Sequence, residues 1–298
     1  MHGVVLPLSL ILVTFSLGLG LSVDDFRRVL TEPRGFLAGA IVQLLLLPAV
    51  ALALVAAFGL RGELALGVMI LAVCPGGVTS NLVTRLARGS VALSVTLTGV
   101  ISLVAILTVP LLVALWMRLF LGTSAPPLDV AALILAMLTL TGAPICSGMV
   151  VRQLLPGFAQ RVERMVLATG GALFAATLVA TAAGNHDLLL SSLADAGAVL
   201  LALAAAMAAI GWLVASTLVK GRADRVAVAI EAALQNGPLG VTIAVLIEEA
   251  GGLTRVAMPS GLYALAMYLA ALPVVMISRR RTRAPRASGR MSRTRREP

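Results

Sequence analysis

Apolar runs of about 20 residues alternate with short polar connections along the chain, near 3–21, 35–58, 63–84, 90–117, 129–151, 163–183, 188–217, 226–248 and 255–277. A helix of roughly 20 residues spans the hydrocarbon core of a bilayer, so the pattern predicts nine transmembrane helices. A membrane barrel would show short, strictly alternating strands instead. Composition agrees. Of 298 residues 59% are apolar and only 12% charged, with a mean hydropathy of +1.03, whereas soluble domains carry about 25% charge. The first run lacks a basic leader and reaches the length of a span, so it reads as a membrane helix and not as a signal peptide.

The basic residues sort by side. Connections 1–2, 3–4, 5–6 and 7–8, with the C-terminal tail, hold 20 of the 23 lysines and arginines; the other connections hold Arg61, Arg118 and Arg255. The positive-inside rule then puts the C-terminus in the cytoplasm and the N-terminus outside, as an odd number of spans requires. The expected location is the cell (inner) membrane, with 1–278 as the membrane domain and 279–298 as a disordered basic tail. Nine arginines in that tail account for most of the net charge of +10. Topology and contact with anionic lipid explain them without nucleic-acid binding. Cys74 and Cys146 lie inside apolar spans, which suggests neither a disulfide framework nor a zinc site.

Polar residues inside the spans are few. Glu231 is the one acidic residue placed within an apolar run away from its ends, in "IEAALQNGPLG", followed by Gln235, Asn236 and the helix breakers Gly237-Pro238. An intramembrane carboxylate costs roughly 2.5–3.5 kcal/mol on insertion scales and reads as functional. Span 3 is broken in the same way, at Pro75-Gly76-Gly77, with Thr79, Ser80 and Asn81 able to begin a second half-helix. Spans 3 and 8 run in opposite directions. Two antiparallel broken helices in the two halves of a membrane chain are the pointer to an inverted-repeat secondary transporter. Their half-helix ends would offer carbonyls to cations and N–H groups to anions. Ser94 and Thr98, four apart in span 4, share a face, and span 2 carries Gln43. Together these side chains supply oxygen ligands and no soft ones, which suits a hard cation such as sodium. The two histidines, His2 and His186, lie at span ends. Without a nucleophile–base pair or a metal cluster in the spans, the pattern does not read as an enzyme.

The stretches "CPGGVTSNLVTRLARGSVALSVTLT" and "IEAALQNGPLG" resemble two signatures of the bile acid:sodium symporter family, roughly CPGGxxSN…LARGxxALSVxxT and IExGMQNxGLA, and the likeness extends along nearly the whole chain. The resemblance implies an all-α inverted repeat in which two helices cross at their broken middles within a core domain (here about 35–120 and 188–278). A smaller panel domain (about 1–23 and 129–186) packs beside it. It implies one sodium site from Ser80, Asn81, Ser94, Thr98 and Glu231. A second would use Gln43, Glu231, Gln235 and the backbone carbonyls of Ala232 and Leu234. Asn236, Val78 and Thr79 at the crossing are expected to contact substrate. So are Met267 and Tyr268, which stand where bacterial relatives often carry a His-Asn pair. Gly237-Pro238 replaces the usual Ser-Gly, so the cation machinery matches the family while the substrate cavity departs from it. The family usually has ten spans, and this chain is expected to begin at the second.

The resulting expectation is sodium-coupled symport of an organic anion (bile-acid-like or a small carboxylate) with no cofactor beyond the coupling ions. Proton coupling through Glu231 and substrate binding without transport remain alternatives.

Overall fold

The computed structural model describes residues 2–248 and 254–280, and among these every regular element is a helix. The order is α1 (His2–Gly20), α2 (Val23–Thr31), α3 (Pro33–Ala57), α4 (Gly62–Val73), α5 (Thr79–Leu86) and α6 (Val91–Leu121). There follow α7 (Val130–Leu154), α8 (Pro156–Gly184), α9 (His186–Leu218), α10 (Arg222–Ala233), α11 (Gly237–Glu248) and α12 (Met258–Arg280). Six continuous helices, α3, α6, α7, α8, α9 and α12, are long and apolar enough to cross a membrane, and α1 with α2 makes a seventh if the pair counts as one bent span. The stretches of the other two predicted spans form shorter helices, α4/α5 and α10/α11, each pair broken at its Pro-Gly signal. Residues 281–298 of the expected tail lie outside the described residues.

Exposed leucines cover the outside of the bundle, among them Leu30, Leu154, Leu265 and Leu269. In water such a surface would be a liability, but in lipid it is the solvated face. Inside, one apolar cluster joins α3, α4, α6, α9, α10 and α12, and a second joins α1, α4, α6, α7 and α11. Because lipid removes the usual hydrophobic drive between helices, close backbone approach at small residues supplies much of the contact. At the α1–α7 crossing a Cβ on Gly148 would fall 2.5 Å from the Phe15 carbonyl oxygen and 2.7 Å from the Leu19 nitrogen. Gly211 of α9 meets Ala232 and Ala229 of α10 in the same way.

Two wide π turns interrupt α3 and α7, at Val42–Leu46 and Leu138–Gly142. Each precedes a proline, Pro48 and Pro144. A proline lacks the N–H for the carbonyl four residues back and its ring collides with that carbonyl, so the preceding turn widens. The first of these turns carries Gln43.

The connection between spans 1 and 2 is itself helical. Ser22 and Asp25 form a reciprocal capping box, with Ser22 N donating to Asp25 Oδ2 at 2.8 Å, which starts α2 at 67° to α1.

Candidate functional site

The two breaks meet face to face. Cys74, the residue before Pro75, is forced out of the helical region to φ −68°, ψ 148°. Leu234, at the end of α10, is likewise extended at φ −106°, ψ 112°. The extended segments pair antiparallel at Gly76 and Gln235. Gly77 N donates to the Leu234 carbonyl at 3.1 Å, and Asn236 N donates to the Pro75 carbonyl at 3.0 Å. Each interruption thus satisfies backbone groups that the other has exposed, the condition for irregular backbone at membrane depth.

Glu231 sits beside this crossing with none of its surface exposed. Three hydroxyls from two helices converge on its carboxylate. Ser80 Oγ of α5 and Ser94 Oγ of α6 donate to Oε2 at 2.5 and 2.9 Å, and Thr98 Oγ1 of α6 lies 2.5 Å from Oε1. A buried carboxylate without such partners is prohibitive, and hydrogen bonds to a charged acceptor contribute about 1.5–3 kcal/mol each. The approach depends on Gly76. A Cβ there would collide with Glu231 Oε1 and stand 2.9 Å from Gln43 Nε2. Gln43, presented by the π turn of α3, donates its Nε2 to the Glu231 carbonyl at 3.1 Å. Gln235 Nε2 donates to the Ala232 carbonyl at 3.0 Å. In both amides the nitrogen is held by backbone while the oxygen is buried with no hydrogen-bond partner, and Asn81 Oδ1 is in the same condition.

The residues singled out from sequence therefore fall into three groups. Ser80, Ser94, Thr98 and Gln43 bond directly to Glu231. Asn81 follows Ser80 in α5, Ala232 follows Glu231 in α10, and Leu234 and Gln235 form the extended segment that pairs with Gly76 and Gly77. The candidates for substrate contact are more dispersed. Val78 and Thr79 begin α5, and Tyr268 OH donates to Thr79 Oγ1 at 3.0 Å. Met267 is 4% exposed and belongs to the main apolar cluster. Asn236 is the N-cap of α11: its Oδ1 accepts from Leu239 N at 3.0 Å, the bond from N3 that such caps make. Pro238 occupies the first turn of α11, where its missing N–H costs nothing. Gly237 lets α12 close in, since a Cβ there would meet Ala264 Cβ at 3.1 Å and the Ser260 carbonyl oxygen at 3.2 Å.

Two participants were missed from sequence. Thr84 Oγ1, one turn beyond Ser80, lies 3.4 Å from Ser94 Oγ, and the four-residue spacing from Ser80 could have shown it. Tyr263 of α12 donates its hydroxyl to the Ala233 carbonyl at 2.7 Å. The chain has two tyrosines, and both lie in this one helix.

Fold and site together define an all-helical integral membrane protein with a carboxylate held by hydroxyls and amides between broken helices. Among the described residues no group of His, Cys, Asp and Glu could form a metal centre. Comparison with known proteins identifies the kind. The model of the Sodium Bile acid symporter family matches residues 7–192, and the chain belongs to that family. It is 31% identical over 236 residues to an uncharacterized sodium-dependent transporter, YocS, of Bacillus subtilis (strain 168), covering 78% of this chain and 71% of that protein. It is 29% identical over 232 residues to a probable sodium/metabolite cotransporter, BASS2, of Oryza sativa subsp. japonica, covering 77% and 54%. It is 29% identical over 182 residues to the ileal sodium/bile acid cotransporter of Oryctolagus cuniculus, covering 60% and 51%. The chain spans about half the length of these plant and mammalian relatives. The family and these relatives are transporters and not enzymes.

Proposed function

We propose that the chain is a secondary active transporter that couples sodium entry to uptake of an organic anion by alternating access. The observation that carries this reading is the set of buried amide oxygens without partners, Gln43 Oε1, Asn81 Oδ1 and Gln235 Oε1, on the segments that meet at the two helix breaks and the buried carboxylate of Glu231. Leaving a buried acceptor unmade costs about 1–3 kcal/mol, and a hard cation that takes oxygen ligands removes that cost. One sodium would be held by Ser80, Asn81, Ser94, Thr98 and Glu231. A second would be held by Gln43, Glu231, Gln235 and the carbonyls of Ala232 and Leu234. Two cations against one carboxylate leave a net charge of +1, which an organic anion near Val78, Thr79 and Tyr268 completes. The relatives' names, which couple sodium to a metabolite or to bile acid, support the same assignment.

In this reading the nine predicted spans form an inverted repeat, with the core domain carrying both breaks and α1, α7 and α8 forming the panel. By the positive-inside rule the arginine distribution supports a cytoplasmic C-terminus and a location in the cell (inner) membrane. Sodium binding ties α3, α5, α6 and α10 together and so favours one arrangement of core against panel, to the extent that its affinity differs between the two.

The test is uptake of organic anions into proteoliposomes with and without an inward sodium gradient. The wild-type chain concentrates one of them only with the gradient, and Glu231→Ala does not. Undiminished sodium-driven uptake by Glu231→Ala would sink the proposal.

A second reading, proton coupling through Glu231, draws on Thr98. Its hydroxyl is 2.9 Å from the Ser94 carbonyl as well as 2.5 Å from Glu231 Oε1, and a single hydroxyl proton serves one acceptor well. A protonated Glu231 donating to Thr98 would fill both bonds. Uptake that follows a pH gradient and ignores sodium selects this reading.

A further inference from the structure

A cavity of about 420 Å³ opens away from the crossing, between the α2–α3 corner, the first turns of α6 at Leu93 and Thr96, and the loop joining α9 to α10. The charged residues of the two flanking segments, 22–36 and 218–225, divide sharply. Arg27 pairs with Asp24 at 3.2 Å and Arg28 with Asp25 at 3.4 Å. Arg225 Nε donates to the Val219 carbonyl at 2.8 Å, and Arg222 donates to the Ile277 and Ser278 carbonyls, each at 3.3 Å. Four remain. Among the described residues Glu32, Arg34, Lys220 and Asp224 have neither a hydrogen bond from their side chains nor an opposite charge within 4.0 Å. All four line the cavity.

Two cations and two carboxylates that face one space, yet are held apart by it, are matched by a dipolar ligand. A simple anion would leave the carboxylates unmet, and a simple cation would leave Arg34 and Lys220 unmet. A phosphodiester carrying a primary ammonium meets both. Guanidinium and ammonium side chains bind phosphate oxygens with charge-assisted hydrogen bonds. A primary ammonium has three N–H donors for carboxylates, whereas a trimethylammonium has none.

The setting selects a lipid as the source. α2 carries alternating charged and apolar faces and leaves α1 at 67°, the geometry of a helix lying along the membrane interface. Leu30 of α2 and Leu37 of α3 are 83% and 51% exposed on the two helices that supply one wall, which gives acyl chains an apolar surface beside the polar cavity. We infer that this cavity is a binding site for a phosphatidylethanolamine-type headgroup, with the phosphate on Arg34 and Lys220 and the ammonium on Glu32 and Asp224.

The experiment uses the full chain, purified in detergent and stripped of lipid. It is titrated with short-chain phosphatidylethanolamine, phosphatidylcholine, phosphatidylglycerol and the chainless glycerophosphoethanolamine, with bound ligand counted by native mass spectrometry. The expected result is a preference of about tenfold for phosphatidylethanolamine over the other two lipids. The double variant R34A/K220A weakens all three lipids. E32Q/D224N weakens phosphatidylethanolamine alone and brings it level with phosphatidylglycerol. The four side chains are surface groups without intramolecular partners, so lipid-free melting temperatures equal to wild type verify that each variant is folded. A wild-type chain without headgroup preference, or a preference that survives both double variants, overturns the site. Equal binding of the chainless headgroup overturns the lipid as its source.

Discussion

The hydroxyl of Tyr263 donates to the carbonyl of Ala233 at 2.7 Å, at the point where α10 ends. In an unbroken helix that carbonyl would accept from the N–H of residue 237. Here Gly237 N turns to the Gln235 carbonyl at 3.1 Å, and the tyrosine takes its place. Tyr263 is itself fully buried. Through this bond α12 holds the turn that presents the carbonyls of Ala232 and Leu234 and the side chain of Gln235.

Tyr263→Phe removes the hydroxyl and little else. It leaves one buried carbonyl without a partner, a loss of about 1–3 kcal/mol. If the proposed second sodium site rests on that turn, the sodium concentration for half-maximal uptake rises several-fold and the sodium Hill coefficient falls toward one, while the maximal rate at saturating sodium is retained. Sodium titrations of uptake in proteoliposomes read both quantities. A variant with lower melting temperature but unaltered sodium dependence would show that the bond serves stability alone.

Gly76 gives a sharper local test. Any side chain there meets Glu231 Oε1 directly and lies 2.8 Å from Glu231 Cδ. Gly76→Ala must therefore displace the carboxylate from its hydroxyls or push the two breaks apart, at an overpacking cost of about 1–3 kcal/mol. The expected outcome is loss of sodium-driven uptake with a lowered melting temperature. Gly157→Ala is the matched control, because a Cβ at Gly157 meets nothing within 4 Å. It should transport normally.

How much of this was legible in the sequence follows from the range of the interactions. Glu231, Ser80, Ser94 and Gln43 stood out because a polar residue in an apolar run is costly wherever the chain folds, so its presence alone is a signal. The breaks at Pro75 and Gly237-Pro238 were equally visible, since proline and glycine act on their own backbone. Tyr263 was not, because its partner lies 30 residues away and an aromatic residue in a membrane helix is unremarkable by itself. The π turn that carries Gln43 was hidden as well: Pro48 shows that the turn must widen, but not that the widened turn faces Glu231. The connection after span 1 was expected only to be short and polar. It is helix α2, although Ser22 and Asp25 carry the spacing of a capping box.

The α1–α7 contact should separate packing from transport chemistry. A Cβ on Gly148 would strike backbone atoms of Phe15 and Leu19, and one on Gly18 would strike the Ile145 carbonyl. Backbone cannot rotate away as a side chain can, so Gly148→Ala forces the helices apart. It should cost about 1–3 kcal/mol and lower the melting temperature in detergent. Because none of these residues touches Glu231, the sodium dependence of whatever uptake remains should be that of wild type.

Asn236 is where cap and substrate contact compete as explanations of one residue. Its Oδ1 is committed to Leu239 N at 3.0 Å, and loss of an N-cap costs about 0.5–2 kcal/mol. Asn236→Ser and Asn236→Asp both keep an oxygen able to cap, yet both remove the amide nitrogen, and the aspartate adds a charge that an anionic substrate would oppose. If the cap is the whole role, Asn236→Ala lowers the melting temperature while serine and aspartate hold it, and all folded variants keep the wild-type KM for the anion. If the amide also meets substrate, serine retains stability but raises KM, and aspartate raises it further. Paired melting curves and uptake kinetics on the three variants decide between these, because the cap depends only on the oxygen and substrate contact depends on the nitrogen.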